Sequence, residues 1–175
     1  MKHFIDINKF RKKEIDEIIS IAKKIKKNPK KYSSYCKNKT LGLIFEKQSL
    51  RTRLSFNIGM QKLGGHVLEL HSKDIGFDNK REKAEDVLNV LSQYIDCLMI
   101  RNNDHKQIVN LSKENILPII NGLTEYSHPC QILGDFLTIL ESLKGIKNVS
   151  IAWIGDYNNV LRSLIQLQNI YNFKL

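Results

Sequence analysis

The chain has 175 residues, 42% of them hydrophobic, and its 28 Lys and Arg residues against 18 Asp and Glu residues give a formal net charge of +10. Three prolines and nine glycines exclude a collagenous or disordered chain, so we expect a hydrophobic core for one domain and part of another. The absence of a long apolar run and of paired cysteines predicts a cytoplasmic protein with no membrane segment, disulfide framework or metal site.

Lysine dominates the first predicted helix. Residues 11–31 hold nine of the Lys and Arg residues, and apolar residues recur among them at helical spacing. These apolar residues are Ile15, Ile18, Ile19, Ala22 and Ile25. The charge is compatible with a face that binds nucleic acid, but the periodicity favours the solvated face of an amphipathic helix. We therefore expect no nucleic-acid partner.

Short apolar strands and amphipathic helices alternate in the rest of the chain. Strands are predicted over 41–45, 67–70, 97–100, 116–120 and 149–154. The fourth contains a proline and should bend or begin there. Helices are predicted through residues 54–61, 84–95, 104–112, 129–144 and 159–171, and a polar loop over 71–82. This alternation predicts an α/β fold with a parallel sheet flanked by helices.

Polar residues follow the first predicted strand in a pattern suited to an oxyanion. In parallel sheets, ligands bind beyond the carboxyl ends of the strands. The segment Ser49-Leu50-Arg51-Thr52-Arg53 stands there, at the start of the next helix. Hydroxyl groups, guanidinium groups and the free N–H groups of a helix N-terminus together suit phosphate. The alternative is a helix cap at Ser49 with two exposed arginines.

Two further strand ends carry candidate residues. Arg101 follows the third strand, and His128 and Gln131 flank the start of a helix after the fourth. An imidazole N–H can donate to a developing oxyanion, and a glutamine can both donate to and accept from an amide. Taken singly, each has an ordinary alternative: a solvated arginine, a loop histidine or a surface glutamine. Three such clusters at successive strand ends favour one binding site.

These segments resemble a known family. Ser49-Leu-Arg-Thr-Arg53 resembles the S-T-R-T-R signature of the aspartate and ornithine carbamoyltransferases, and His128-Pro-Cys-Gln131 matches their H-P-x-Q. Residues 86–101 resemble the family segment between them, and the resemblance runs from about residue 3 to the end. It implies a carbamoyl-phosphate-binding domain over 1–145, followed over 146–175 by the first strand and helix of a second, ornithine-binding α/β domain.

The resemblance also implies a reaction. The carbamoyl group of carbamoyl phosphate would pass to the δ-amine of L-ornithine, giving L-citrulline and phosphate, in a protein that would be a homotrimer when full length and would need no cofactor. Ser49, Leu50, Arg51 and Thr52 would hold the phosphate. Arg101 would bridge the phosphate and the carbonyl oxygen, and His128 and Gln131 would orient the carbamoyl group. Arg101 and His128 would thus be the catalytic residues.

The amino-acid substrate is indicated by Trp153-Ile-Gly-Asp156 followed by Asn158-Asn159. This sequence resembles the ornithine branch, where an asparagine contacts the substrate, so Asn159 is the expected ornithine contact. Turn formation by asparagine is the alternative explanation of the pair. The aspartate branch of the family remains the second candidate.

Three departures from the family limit these expectations. Leu50 stands where threonine is usual, which preserves a backbone N–H contact but removes a hydroxyl group. The loop over 72–82 is longer than in the family, and we assign no contact residue in it. The D-x-x-x-S-M-G and H-C-L-P segments of the family's second domain are absent. We therefore expect residues 149–171 to lack a complete core, and a phosphate-binding remnant without transferase activity is an alternative.

Overall fold

The computed structural model describes residues 1–71, 82–143, 145–146 and 149–175. The six α-helices within these ranges are α1 (Lys12–Lys27), α2 (Leu50–Lys62), α3 (Ala84–Ser92), α4 (His105–Lys113), α5 (Pro129–Ser142) and α6 (Asn159–Tyr171), and two short 3-10 helices span Ile7–Lys9 and Pro29–Tyr32. The strands there are β1 (Thr40–Phe45), β2 (His66–His71), β3 (Cys97–Arg101) and β4 (Ile119–Leu123). No described helix is both long and apolar enough to cross a membrane.

The four described strands form one parallel sheet in the order β2-β1-β3-β4. The predicted α/β fold with a helix-flanked parallel sheet is therefore confirmed. The chain leaves β1 toward β2 on one side and later enters β3 on the other, so the direction of winding changes between β1 and β3. Open α/β sheets bind ligands at such a position. On the outer side of β4, Phe4 forms an isolated parallel bridge with Ile120.

The central strands are apolar on both faces because helices cover both. Leu43 of β1 packs with Met99 on one face, together with Phe56 of α2. Its neighbour Ile44 points to the opposite face and joins the cluster that contains Leu88 of α3. The continuous apolar run over 41–45 thus predicted a strand buried on both sides, as parallel strands are.

Proline shifts the start of the fourth strand. The prediction placed this strand over 116–120, whereas β4 begins after Pro118, whose carbonyl accepts a 2.9 Å hydrogen bond from the Leu98 N–H. Proline has no N–H to donate to the sheet, so regular pairing starts at the next residue. Asn121 and Gly122, predicted as loop, therefore continue β4. The loop predicted over 71–82 lies almost wholly outside the described residues.

The predicted last helix packs on the main body of the chain. Leu164 and Leu167 of α6 are buried in a cluster with Phe136 of α5 and Ile7 of the N-terminal segment. The expectation that residues 149–171 lack a complete core is thus wrong for α6. One polar contact adds to this packing, since the Ile7 N–H donates to Gln166 Oε1 at 3.1 Å. The Gln168 side chain donates to the Phe173 carbonyl at 3.1 Å, which joins α6 to the residues that follow it.

The segment predicted as a fifth strand does not join the sheet. Residues 149–154 form no strand, and their one bridge pairs Ser150 with Lys174. Ile154 is 96% exposed. At the β4 edge of the sheet, the outer side is already occupied by Phe4. The α-helix of the predicted second unit thus forms, whereas its strand is reduced to the single bridge with Lys174 within the described chain.

The packing of α6 generates a stability prediction. Leu167→Ala should lower the free energy of unfolding by about 2–5 kcal/mol, because it leaves a cavity in a closely packed cluster. Leu167 is 1% exposed, and the matched control Ile154→Ala removes a 96% exposed side chain, which should change stability little. Urea denaturation measures both. Equal stability of the two variants would contradict the packing of α6 on this core.

Candidate functional site

A cavity of about 610 Å³ opens at the carboxyl ends of β1, β3 and β4. Loops that follow three different strands contribute its walls, and α6 contributes one residue. The lining residues are Gln48, Ser49, Leu50, Arg51, Thr52, Arg101, Leu123, His128, Gln131, Asp135 and Val160. The structure thus brings together seven of the eight residues that the sequence suggested, and Asn159 is the exception.

The wall after β1 is the N-terminus of α2. Ser49 is its N-cap residue, and its side chain makes no capping hydrogen bond within the described chain. The first N–H groups of a helix have no intrahelical acceptor, so they can donate to an anion. Arg51 is exposed at this wall, and Leu50 is 73% exposed. The leucine at this position leaves the backbone donors in place.

Arg101 forms the wall at the end of β3. Its Nη1 donates a 2.8 Å hydrogen bond to Thr52 Oγ1, which joins this strand end to the first turn of α2. Its Nε is buried with no hydrogen-bond partner among the described residues. Burial lowers the pKa of Arg101, although a guanidinium remains charged at neutral pH. The site therefore holds a partly buried guanidinium, and its Nε–H has no acceptor among the described residues.

His128 is the N-cap residue of α5 and lies across the cavity from α2. Burial, and secondarily the positive charge of Arg101, lowers the pKa of His128 to about 4. The imidazole is therefore neutral at pH 7, with one N–H donor and one acceptor nitrogen. Its Nδ1 is buried and has no hydrogen-bond partner in the part of the chain that the structure describes.

Gln131 and Asp135 stand one turn apart on α5. The Gln131 side-chain amide donates a 2.9 Å hydrogen bond to Asp135 Oδ1, and both residues line the cavity. This bond fixes the NH₂ group toward the carboxylate and leaves the Gln131 carbonyl oxygen as an acceptor. Asp135 was not predicted as a site residue, although its spacing of four residues from Gln131 on a predicted helix was a usable signal.

A smaller recess of about 260 Å³ adjoins this cavity. It shares Arg51, Thr52, His128 and Gln131 with the larger one and reaches Cys130. Burial raises the pKa of the Cys130 thiol to about 12, so it is protonated at neutral pH. A protonated thiol is a poor nucleophile. The chemistry of the site therefore rests on hydrogen-bond donors and charge.

Asn158 and Asn159 have different partners. Asn158 caps α6, since its Oδ1 accepts from the N–H groups of Val160 and Leu161. Asn159 donates from its side-chain amide to the Thr124 carbonyl at 2.6 Å and does not line the cavity. The pair thus serves both the helix start and a contact with the loop that precedes α5.

Buried hydrogen bonds hold that loop from behind. His105 contacts Asp6 through Nε2 at 3.1 Å and Thr124 Oγ1 through Nδ1 at 2.9 Å. Thr124 in turn accepts from the Ser127 N–H at 3.1 Å. Burial alone would raise the pKa of Asp6, but its hydrogen bonds, first that with His105, lower it. Asp6 is therefore an anion that anchors the loop carrying His128.

Aromatic side chains also contact the loop that precedes α5. The Arg162 guanidinium of α6 lies 5.0 Å from the ring centroids of both Tyr126 and Tyr157. Tyr126 also packs against His105, with ring centroids 4.7 Å apart. Sequence reasoning missed this arrangement because the three residues come from separate loops and a helix, with no periodicity to associate them.

No group of three His, Cys, Asp or Glu side chains within the described ranges is placed to hold a metal ion. The three cysteines are free thiols. The charges in the cavity wall are those of Arg51 and Arg101 on one side and Asp135 on the other. Such a site is suited to an anionic ligand with an amide or carbonyl group next to the anion.

Comparison with known proteins identifies relatives of this chain. Residues 2–141 match the family model described as aspartate/ornithine carbamoyltransferase, carbamoyl-P binding domain. An ornithine carbamoyltransferase of Campylobacter hominis is 43% identical over all of this chain and 56% of its own length. One of Shewanella oneidensis is 41% identical over 94% of this chain and 54% of its own length. The chain therefore spans about half the length of these relatives.

Solved structures that resemble this chain belong to the same family as these relatives. The anabolic ornithine carbamoyltransferase of Campylobacter jejuni superposes with a TM-score of 0.89 and 36% identity over 99% of this chain and 57% of its own. The ornithine carbamoyltransferase of Pyrococcus furiosus superposes with a TM-score of 0.88 and is 40% identical, over 94% of this chain and 53% of its own. Both structures are at least 36% identical to this chain, so the likeness concerns sequence as well as fold.

The lowered pKa of His128 predicts a dependence of stability on pH. The pKa lies near 4 in the folded chain, against 6.5 for an ordinary histidine. Between these values the unfolded chain binds a proton that the folded chain does not, so the free energy of unfolding falls as the pH falls. His128→Asn should remove this part of the decrease between pH 7 and pH 5, as measured by urea denaturation.

The control for that experiment is His66→Asn, since His66 is exposed on β2. This variant should lose stability between pH 7 and pH 5 as the parent does. If His128→Asn also behaved like the parent, His128 would not be a neutral buried imidazole.

Proposed function

Because the chain belongs to the aspartate/ornithine carbamoyltransferase family, we propose that its cavity binds carbamoyl phosphate for transfer of the carbamoyl group to L-ornithine. The products are L-citrulline and phosphate. One observation carries this proposal: Arg51, Arg101, His128 and Gln131, from three separate strand ends, line the same cavity. The first two suit a phosphate dianion, and the last two suit a carbamoyl group.

The phosphate end is assigned to the α2 side of the cavity. Backbone N–H groups of the first turn, the Ser49 and Thr52 hydroxyl groups and the Arg51 guanidinium are all donors there. Thr52 also accepts from Arg101 at 2.8 Å, so the two donors are fixed relative to each other. The exposed Leu50 contributes only its backbone N–H.

The carbamoyl end is assigned to Arg101, His128 and Gln131. Attack of a neutral amine on the carbamoyl carbon moves negative charge onto the carbonyl oxygen. Preplaced N–H donors from Arg101 and His128 stabilise that charge more than they stabilise the uncharged substrate, which lowers the barrier. The Gln131 carbonyl oxygen, left free by the bond to Asp135, accepts from the carbamoyl NH₂ group. Both catalytic residues act as donors, and no cofactor takes part.

The amine acceptor is assigned by relationship. The relatives quoted above are named ornithine carbamoyltransferases, which favours ornithine over aspartate. Asn159 is proposed as the ornithine contact through its carbonyl oxygen, because its NH₂ group is bonded to Thr124. Transfer is proposed for this chain together with the second half that its relatives have, and 1–145 and 146–175 are proposed as parts of two domains. Arginine biosynthesis in the cytoplasm is the proposed setting.

A homotrimer is proposed from the outer surface of the sheet. Helix α2 exposes an apolar stripe, with Leu50, Leu54 and Ile58 exposed by 73%, 50% and 42%. β2 is the edge strand of the described sheet, and its Leu68, on the sheet face opposite to α2, is 40% exposed. An exposed apolar stripe on a helix that packs at the edge of a sheet is typical of a protein–protein interface.

The phosphate assignment predicts how arginine variants bind inorganic phosphate. Arg51→Ala and Arg101→Ala should each weaken binding by about 10- to 100-fold, the loss expected for one charge-assisted hydrogen bond. Arg53→Ala is the matched control and should leave the affinity unchanged, because this arginine of the same helix does not line the cavity. Its guanidinium carbon lies 5.0 Å from the centroid of the Phe45 ring, and its Nε lies 3.6 Å from Glu69 Oε2. Calorimetry measures all three. Parent-like affinity of Arg101→Ala would contradict the site.

The homotrimer proposal predicts the effect of a charge in the stripe on α2. In the chain together with the second half that its relatives have, Leu54→Asp should convert trimers to single chains in sedimentation equilibrium, because burying an unpaired carboxylate at an interface is costly. Leu143→Asp, which places the same charge at a 60% exposed leucine after α5, should leave trimers intact. A monomeric parent, or a trimeric Leu54→Asp variant, would contradict this interface.

A further inference from the structure

Three polar side chains of α6 bond across to the body of the chain. Asn159, Ser163 and Gln166 follow one another by four and three residues, so they share one face of the helix. Asn159 donates to the Thr124 carbonyl at 2.6 Å, Ser163 accepts from the His128 N–H at 2.9 Å, and Gln166 accepts from the Ile7 N–H at 3.1 Å. The face of α6 that packs inward thus carries one donor and two acceptors for backbone groups of other segments.

Ser163 contacts the residue at the centre of the site. Its side chain is fully buried, at 0% exposure. The hydroxyl donates to the Asn159 carbonyl at 3.1 Å and accepts from the backbone N–H of His128. Because the donor bond is directed to Asn159, the lone pairs of the oxygen face His128. A buried N–H without an acceptor is costly, so this bond restricts where the His128 backbone can lie.

The side chain of His128 depends on that backbone position. His128 is the N-cap residue of α5, with φ −135° and ψ 68°, outside the regular helix. Its N–H therefore has no place in the ladder of α5, and Ser163 supplies the acceptor. The imidazole Nδ1 has no bond of its own to a described residue. The imidazole is thus positioned through its backbone and its packing.

We propose that Ser163 is a positioning residue for His128, so that α6 forms part of the carbamoyl phosphate site. This inference rests on the proposed function, because it concerns the group that contacts the carbamoyl oxygen. From the family resemblance, α6 was expected to belong to a separate ornithine-binding domain. Ser163 instead makes the geometry of the first site depend on the docking of that helix.

A purely structural role of Ser163 would be to hold α6 in place. Gln166 provides the matched comparison, since it makes the same kind of bond from the same helix to a backbone N–H, but to that of Ile7. Gln166→Met should loosen α6 to a similar extent as Ser163→Ala. Only the serine variant should alter the carbamoyl end of the cavity.

The test uses two ligands. Phosphonoacetamide carries an amide beside a phosphonate, with a CH₂ group in place of the bridging oxygen of carbamoyl phosphate, whereas inorganic phosphate has no amide. In calorimetry, Ser163→Ala should weaken phosphonoacetamide binding by about fivefold, the equivalent of one ordinary hydrogen bond. Phosphate binding should stay within a factor of two of the parent. Gln166→Met should leave both affinities unchanged.

A second readout addresses the bond itself. Amide hydrogen exchange at His128 should accelerate about tenfold in Ser163→Ala relative to Gln166→Met, because only the first variant removes its acceptor. If Ser163→Ala fails to fold, Ser163→Cys replaces it in both experiments. This variant keeps a side chain of similar shape but substitutes a weak acceptor, so it should show the same loss of phosphonoacetamide affinity and the same faster exchange at His128.

The outcomes separate the two proposals. A parent that binds neither ligand would overturn the proposed function and this inference with it. A parent that binds both, with Ser163→Ala and Gln166→Met alike in affinity and in His128 exchange, would overturn the positioning role alone. An equal loss of both affinities in Ser163→Ala would also overturn it, because the defect would not be specific to the amide end.

Discussion

The register between β1 and β3 is the constraint on which the candidate site depends. It pairs Phe45 with Arg101, so the loop that leads into α2 starts beside this arginine. The Glu46 N–H then bonds the Arg101 carbonyl at 3.0 Å, and Arg101 Nη1 reaches Thr52. A slip of one residue would turn the arginine to the opposite face of the sheet. Buried neighbours such as Leu43 and Met99 exclude that slip because they would be displaced as well.

The walls of the cavity are fixed by polar contacts that lie behind them. Asp6, His105 and Thr124 hold the loop before α5, and Arg162 holds Tyr126 in the same loop from α6. A site that must stabilise developing charge needs donors that do not reorganise during the reaction, and buried hydrogen bonds provide this rigidity. The low pKa of His128 follows from the same enclosure, because burial disfavours its charged form.

Local sequence determined much of the fold. Leu41 to Ile44 predicted a buried strand because both faces are apolar, and Pro129 predicted the start of α5 because proline fits a first helical turn. The single bridge of 149–154 with Lys174 could not be predicted, since it joins segments distant in the sequence that meet only when α6 packs on the core. The three clusters around the cavity followed from their positions after parallel strands. Ser163 could not be found in that way, because a buried serine on a helix has no sequence signal until its partner is known.

A crystal structure of this chain with phosphonoacetamide would test the proposed site directly. We expect the phosphonate at the N-terminus of α2, within hydrogen-bond distance of Arg51 and Arg101, and the amide group between His128 and Gln131. An analogue bound elsewhere on the chain, or bound in the cavity with its amide turned away from His128, would contradict the proposed site.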